Sequence, residues 1–114
     1  MAWIKALGGT GTVNVSGSYG AIAPYNTMTE NLINSKSQIT GTVVVEMNGS
    51  TGPEYCAPQF IIGGVTYTLT GVSGSTKTFS VNLATTPGET VVLSVTNNTS
   101  NFYILSVTWN LDFS

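Results

Sequence analysis

The chain has 114 residues, of which 41% are hydrophobic and only 7% charged, against roughly 25% charged in an average globular protein. With three lysines, no arginine and no histidine, it lacks the clustered cations that grip phosphate, so nucleic acid is not an expected partner. It also lacks the imidazole that most acid–base catalysts and zinc sites use. The length suits one domain, and no apolar run approaches the ~18 residues that span a bilayer.

Trp3 to Leu7 is a short apolar segment closed by Gly8-Gly9. It reads as an edge strand or an arm, with Trp3, Ile4 and Leu7 as candidate interface residues. The expected division is therefore an arm over 1–9 and a folded domain over 10–114. Met1 to Gly9 carries one lysine and no apolar h-region, so a secretory leader is not expected there. Val13 and Val15 share a parity. Gly17 to Tyr25 mixes small residues, two tyrosines and Pro24, which suits a loop or an edge strand.

Thr27 to Ser37 is the one helix candidate. Thr27-Met28-Thr29-Glu30 fits a capping box and Met28 and Leu32 stand four apart, so a helical turn and an extended loop are both open. Gln38 to Met47 is a β-branched strand in which Gly41 is expected to mark a bulge. Asn48-Gly49 signals a turn. Gly63-Gly64, between Gln59 to Ile62 and Val65 to Leu69, signals a hairpin, because tight hairpin turns need positive φ. Thr76 to Leu83 and Thr90 to Thr96 alternate apolar and polar residues. In the last segment Leu105, Val107, Trp109, Leu111 and Phe113 fall on one parity and Ser106, Thr108, Asn110 and Asp112 on the other. A period of two makes one face apolar and the other wet.

About seven to nine short strands, with turn signals every ten residues or so, predict an all-β fold: a single antiparallel β-sandwich or jelly roll. The expected core runs through Val13, Val15, Val43, Val45, Ile61, Tyr67, Leu69, Phe79, Val81, Leu83, Leu93, Val95, Leu105, Val107, Trp109 and Leu111.

Little in the chain can carry chemistry. Glu46 and Glu54, the acids nearest each other in sequence, read as solvated surface groups rather than a glycosidase pair. Cys56 has no cysteine partner and no histidine to activate it, and reads as a small buried apolar residue. Asp112 and Asn110 with loop carbonyls come closest to a calcium site, but calcium loops gather more acids than this. No enzyme, metal or cofactor is expected. Flat rings beside amides grip sugars, so Tyr19, Tyr25 and Tyr55, with Asn26 and Gln59 nearby, are candidate carbohydrate contacts. The same rings also suit a subunit interface. Asn-x-Ser/Thr triplets begin at Asn14, Asn48, Asn97 and Asn98.

Strands such as TKTFSVNL and ETVVLSVTNNTSNFYILSVTWNLDF, rich in Thr, Ser, Asn and Val and almost uncharged, resemble those of the small β-sandwich proteins of bacterial and archaeal virus particles: decoration, turret and fibre-head proteins. The resemblance implies a non-enzymatic structural protein of the virion. Its partners would be other copies of itself and other virion proteins. Host attachment through cell-surface glycans, on a carbohydrate-binding β-sandwich, is the alternative.

Overall fold

The computed structural model describes residues 11–47, 56–70, 76–98 and 104–114. Eight strands follow one another: β1 (Val13–Ile22), β2 (Thr27–Asn31), β3 (Gln38–Met47), β4 (Gln59–Ile62), β5 (Val65–Thr68), β6 (Thr76–Ala84), β7 (Val91–Thr96) and β8 (Leu105–Phe113). They form two four-stranded sheets, β1-β8-β3-β6 and β2-β7-β4-β5, and every pairing is antiparallel. One apolar cluster draws on both sheets, giving a sandwich-like all-β arrangement.

The alternation in β8 supplies the centre of that cluster. Leu105, Val107, Trp109, Leu111 and Phe113 are all buried, while Thr108 and Asn110 are exposed. Across the first sheet the inward rows read Val13–Phe113–Ile39–Leu83, then Val15–Leu111–Gly41–Val81, then Gly17–Trp109–Val43–Phe79. In the second and third rows a glycine stands beside Leu111 and Trp109, making room for the larger side chains. Phe60, Phe79 and Phe113 are 0–1% exposed, and burying each such side chain contributes about 1.5–3 kcal/mol.

Three sequence expectations are corrected. Thr27–Asn31 is a strand, not a helical turn, because its backbone pairs with Thr96 to Val92 of β7; tertiary pairing overrides a cap that five residues cannot exploit. Gly41 causes no bulge: its pairing with Val81 and Leu111 runs in unbroken register, and the irregularity lies in β1 between Tyr19 and Ile22. Finally, Val13 and Tyr67 are each 40% exposed, and the core takes Phe60 and Ile62 where Ile61 was expected. Val13 and Tyr67 lie on β1 and β5, the outer strands of their sheets, so sharing parity with core residues does not bring them cover.

The strand and hairpin expectations that fall on described residues otherwise hold, with Gly17 to Ile22 in β1, an outer strand, meeting the edge-strand alternative; the Trp3 to Leu7 segment and the Asn48-Gly49 turn lie outside the described residues. Gly63 and Gly64 make a two-residue hairpin with φ of 57° and 86°, the left-handed pair a type I′ turn demands. Cys56 is buried and its Sγ accepts from the Asn98 amide at 3.4 Å.

Candidate functional site

The two sheets leave an opening along one side. β1 and β2 are the outer strands of their respective sheets and follow one another through a short turn. Between them lies a cleft of about 380 Å³. β1 contributes Val15 to Ser18, β2 and the residues after it contribute Glu30 to Ile33, and Trp109 of β8 closes the cleft from within. Gly17 lies against the indole: a Cβ there would sit 2.6 Å from Cζ2 and 3.1 Å from Nε1 of Trp109. Any side chain larger than hydrogen would therefore displace the ring.

Glu30 stands on the parity of the core. It pairs with Leu93 and Met28 pairs with Val95, and Met28, Leu93 and Val95 are all buried. The inward row reads Glu30–Leu93–Phe60–Tyr67, so the acid caps the core at the edge of the sheet. A carboxylate is tolerated there because the cleft keeps it wet: Glu30 is exposed.

A second feature is the β1–β2 turn. The amide of Asn26 donates to Ala23 O at 3.0 Å, with Pro24 second in the turn and Tyr25 third at φ 64°, the type II pattern. That third position favours glycine; an L side chain there costs roughly 1–2 kcal/mol. Tyr25 occupies it nonetheless, with 70% of its surface exposed. Replacing Tyr25 by glycine is expected to raise stability by about 0.5–1 kcal/mol, the relief of strain exceeding the added chain entropy. Thermal unfolding checks this, and a fall of more than about 1 kcal/mol would show that the ring packs against the fold.

The sequence candidates fall into three groups. Tyr19 and Tyr25 are exposed, at 45% and 70%, but neither lines the cleft. Trp3, Ile4, Leu7, Tyr55 and Glu54 lie outside the described residues. Gln59 spends its amide on Thr68 Oγ1 at 3.1 Å, Glu46 is exposed on the outward face of the first sheet, and Asn110 and Asp112 both accept from Asn14 Nδ2, at 2.7 and 2.9 Å. Sequence reasoning passed over Glu30 as a site residue. Its signal was an acid sharing parity with Met28, visible only once Thr27–Asn31 is read as a strand.

Among the described residues no three of His, Cys, Asp and Glu gather in a metal-binding group, and no helix is long and apolar enough to cross a membrane. Neither protein-family models nor curated proteins nor solved structures give a match to this chain.

Proposed function

We propose that the chain is a non-enzymatic structural protein of a virus particle, a capsid decoration, turret or fibre-head subunit that acts through protein–protein contacts. The observation that carries this reading is the outward face of the first sheet. Its rows are Asn14–Asp112–Thr40–Asn82, Ser16–Asn110–Thr42–Ser80 and Ser18–Thr108–Val44–Thr78. Apart from Asp112 in these rows and Glu46 beyond them, the positions are hydroxyls, amides and one valine. The centres of protein interfaces are similarly depleted of charge, and so neutral a surface does little to keep copies apart.

The strand orders add support by analogy. With the strands numbered along the chain, the orders 1-8-3-6 and 2-7-4-5 fit a jelly-roll connectivity, an architecture used by capsid proteins and lectins. Fold alone assigns no function, so the analogy ranks readings that the surface has already narrowed. The location that follows is the virion.

The full chain is expected to form a symmetric oligomer. Residues 10–114 alone are expected to keep the β-sheet circular dichroism and lose that assembly, because Trp3, Ile4 and Leu7 supply apolar docking area. Light scattering on both forms checks this. A truncated protein that still assembles removes the arm from the interface, and a full chain that stays monomeric at every concentration overturns the structural role.

One observation favours a second reading, a carbohydrate-binding or host-adhesion module. Tyr25 is held on a strained backbone with its ring in solvent, and strain of this kind gathers at functional positions. Binding on a glycan array that fails for alanine variants of Tyr19, Tyr25 and Tyr55 would select it.

A further inference from the structure

We infer that the cleft between β1 and β2 is a binding site for a neutral sugar, held between the indole N–H of Trp109 and the carboxylate of Glu30. The inference shares its ligand class with the adhesion reading but none of its residues, and it is independent of the virion role.

Three observations carry it. First, Trp109 is only 4% exposed, yet its Nε1–H makes no hydrogen bond among the described residues. No buried side-chain nitrogen or oxygen among the described residues lacks a partner, so this N–H keeps contact with solvent, and Trp109 lines the cleft. The side chain is thus nine-tenths buried while its one polar atom opens into the cleft, where solvent or a ligand supplies the acceptor that buried indoles ordinarily find within the protein. Second, Glu30, on the core parity of β2, lines the same cleft and has no hydrogen bond or ion pair among the described residues. Third, Gly17 leaves no side chain between the strand edge and the ring, and among the described strands β1 pairs on one side only.

The chemistry of the two polar groups selects the ligand. The indole N–H only donates and an ionised carboxylate only accepts. Their common ligand must therefore accept at one atom and donate from a near neighbour, and adjacent sugar hydroxyls do both. The unpaired backbone edge of β1 offers further donors and acceptors. Val15, Leu32 and Ile33 give the apolar C–H face of a sugar ring something to rest on. The volume lies in the range of small-ligand pockets, ~300–1,000 Å³. A peptide added as a strand to β1 would lie in the plane of that sheet and leave the indole N–H unused. An inward-pointing acid also blunts an edge strand against pairing, but that role leaves the open N–H of Trp109 without a purpose.

The test is a titration of the full-length 15N-labelled chain with glucose, galactose, mannose and N-acetylglucosamine, following the indole N–H resonances by NMR. A Trp3→Phe variant identifies the Trp109 signal. The expected result is a saturable shift of that signal at millimolar concentrations of at least one sugar. Glu30→Ala should weaken the binding about tenfold, the worth of a hydrogen bond to a charged group. Tyr25→Ala should leave it unchanged. No saturable shift at tens of millimolar of any of the four sugars, wild-type affinity in Glu30→Ala, or a shift produced by a peptide of residues 1–7 and by no sugar would each overturn the site. Loss of binding in Tyr25→Ala with Glu30→Ala unaffected would also overturn it, and would place the sugar on the adhesion surface. Light scattering of Glu30→Ala keeps this outcome separate from the assembly role, since the variant should retain the oligomeric state of the full chain.

Discussion

Replacing Gly41 by alanine is expected to cost about 3 kcal/mol or more and to lower the melting temperature by roughly 10–20 °C. Gly41 lies within β3, between β8 and β6, with φ of 133°. L side chains rarely adopt that conformation, so alanine is strained before any contact is considered. The contacts then add to the strain. A Cβ would run into the carbonyl oxygen of Asn110 and lie 3.0 Å from the Cα of Leu111 and 3.1 Å from the carbonyl carbon of Asn110. All of these atoms are backbone, and they belong to the strand that carries Trp109. A flexible side chain could swing away; a paired strand cannot move without loosening its ladder with β3. Domains of this size are stable by about 5–15 kcal/mol, so the loss is a large share of the total. Urea unfolding checks it. A midpoint within about 1 kcal/mol of wild type, at unchanged slope, would mean that β3 and β8 do not approach this closely. Gly17→Ala makes a useful contrast. The atoms it would meet belong to the Trp109 ring, which can tilt, so a smaller loss is expected there.

These two glycines show how much of the molecule was legible in its sequence. β8 and β6 could be read directly, because each has one buried and one wet face and the side-chain period keeps the two apart; β7 could be read from the parity of Val91, Leu93 and Val95, all buried. The hairpin at Gly63-Gly64 was equally plain, since few residues other than glycine accept its turn. Gly41 was legible as unusual but not as a close approach, because what it makes room for is the Asn110 carbonyl, far along the chain. Phe60-Ile61-Ile62 offered three apolar residues in a row, so its parity could not be fixed until β7 supplied the register. β2 was hidden for the opposite reason. Glu30 interrupts the apolar parity that Met28 begins, and an acid three residues after a threonine mimics a helix cap. The cleft was illegible on the same account. It exists only because the outer strands of two different sheets run side by side, and nothing local to β1, β2 or β8 records that meeting.

The other large effect is expected at Asn97, which is 0% exposed in the turn after β7. Its backbone is paired with the β1–β2 turn in both directions: the Tyr25 amide donates to Asn97 O at 2.7 Å, and the Asn97 amide donates to Asn26 O at 2.9 Å. Its side-chain Nδ2 donates to Ile22 O at 2.8 Å. One residue thus holds the end of β1 and the turn that displays Tyr25. Asn97→Ala keeps both backbone bonds and removes the amide, leaving the Ile22 carbonyl buried without that donor. The expected cost is about 2–3 kcal/mol, more than an ordinary hydrogen bond contributes, because a buried group left unsatisfied bears its full desolvation penalty. Asn97→Asp should be no better. A carboxylate cannot donate to a carbonyl, and it sets a buried negative oxygen against the Ile22 carbonyl oxygen that Nδ2 now satisfies. Tight burial also bears on the two overlapping glycosylation triplets. Asn97 is closed to modification in the folded protein, whereas Asn98 beside it is exposed. Chemical denaturation of the alanine and aspartate variants, with amide hydrogen exchange at Tyr25 and Asn26, separates a local from a global effect. Faster exchange confined to the turn, with global stability within about 0.5 kcal/mol of wild type, would show that the side-chain amide adds little to the clamp and that the two backbone bonds suffice.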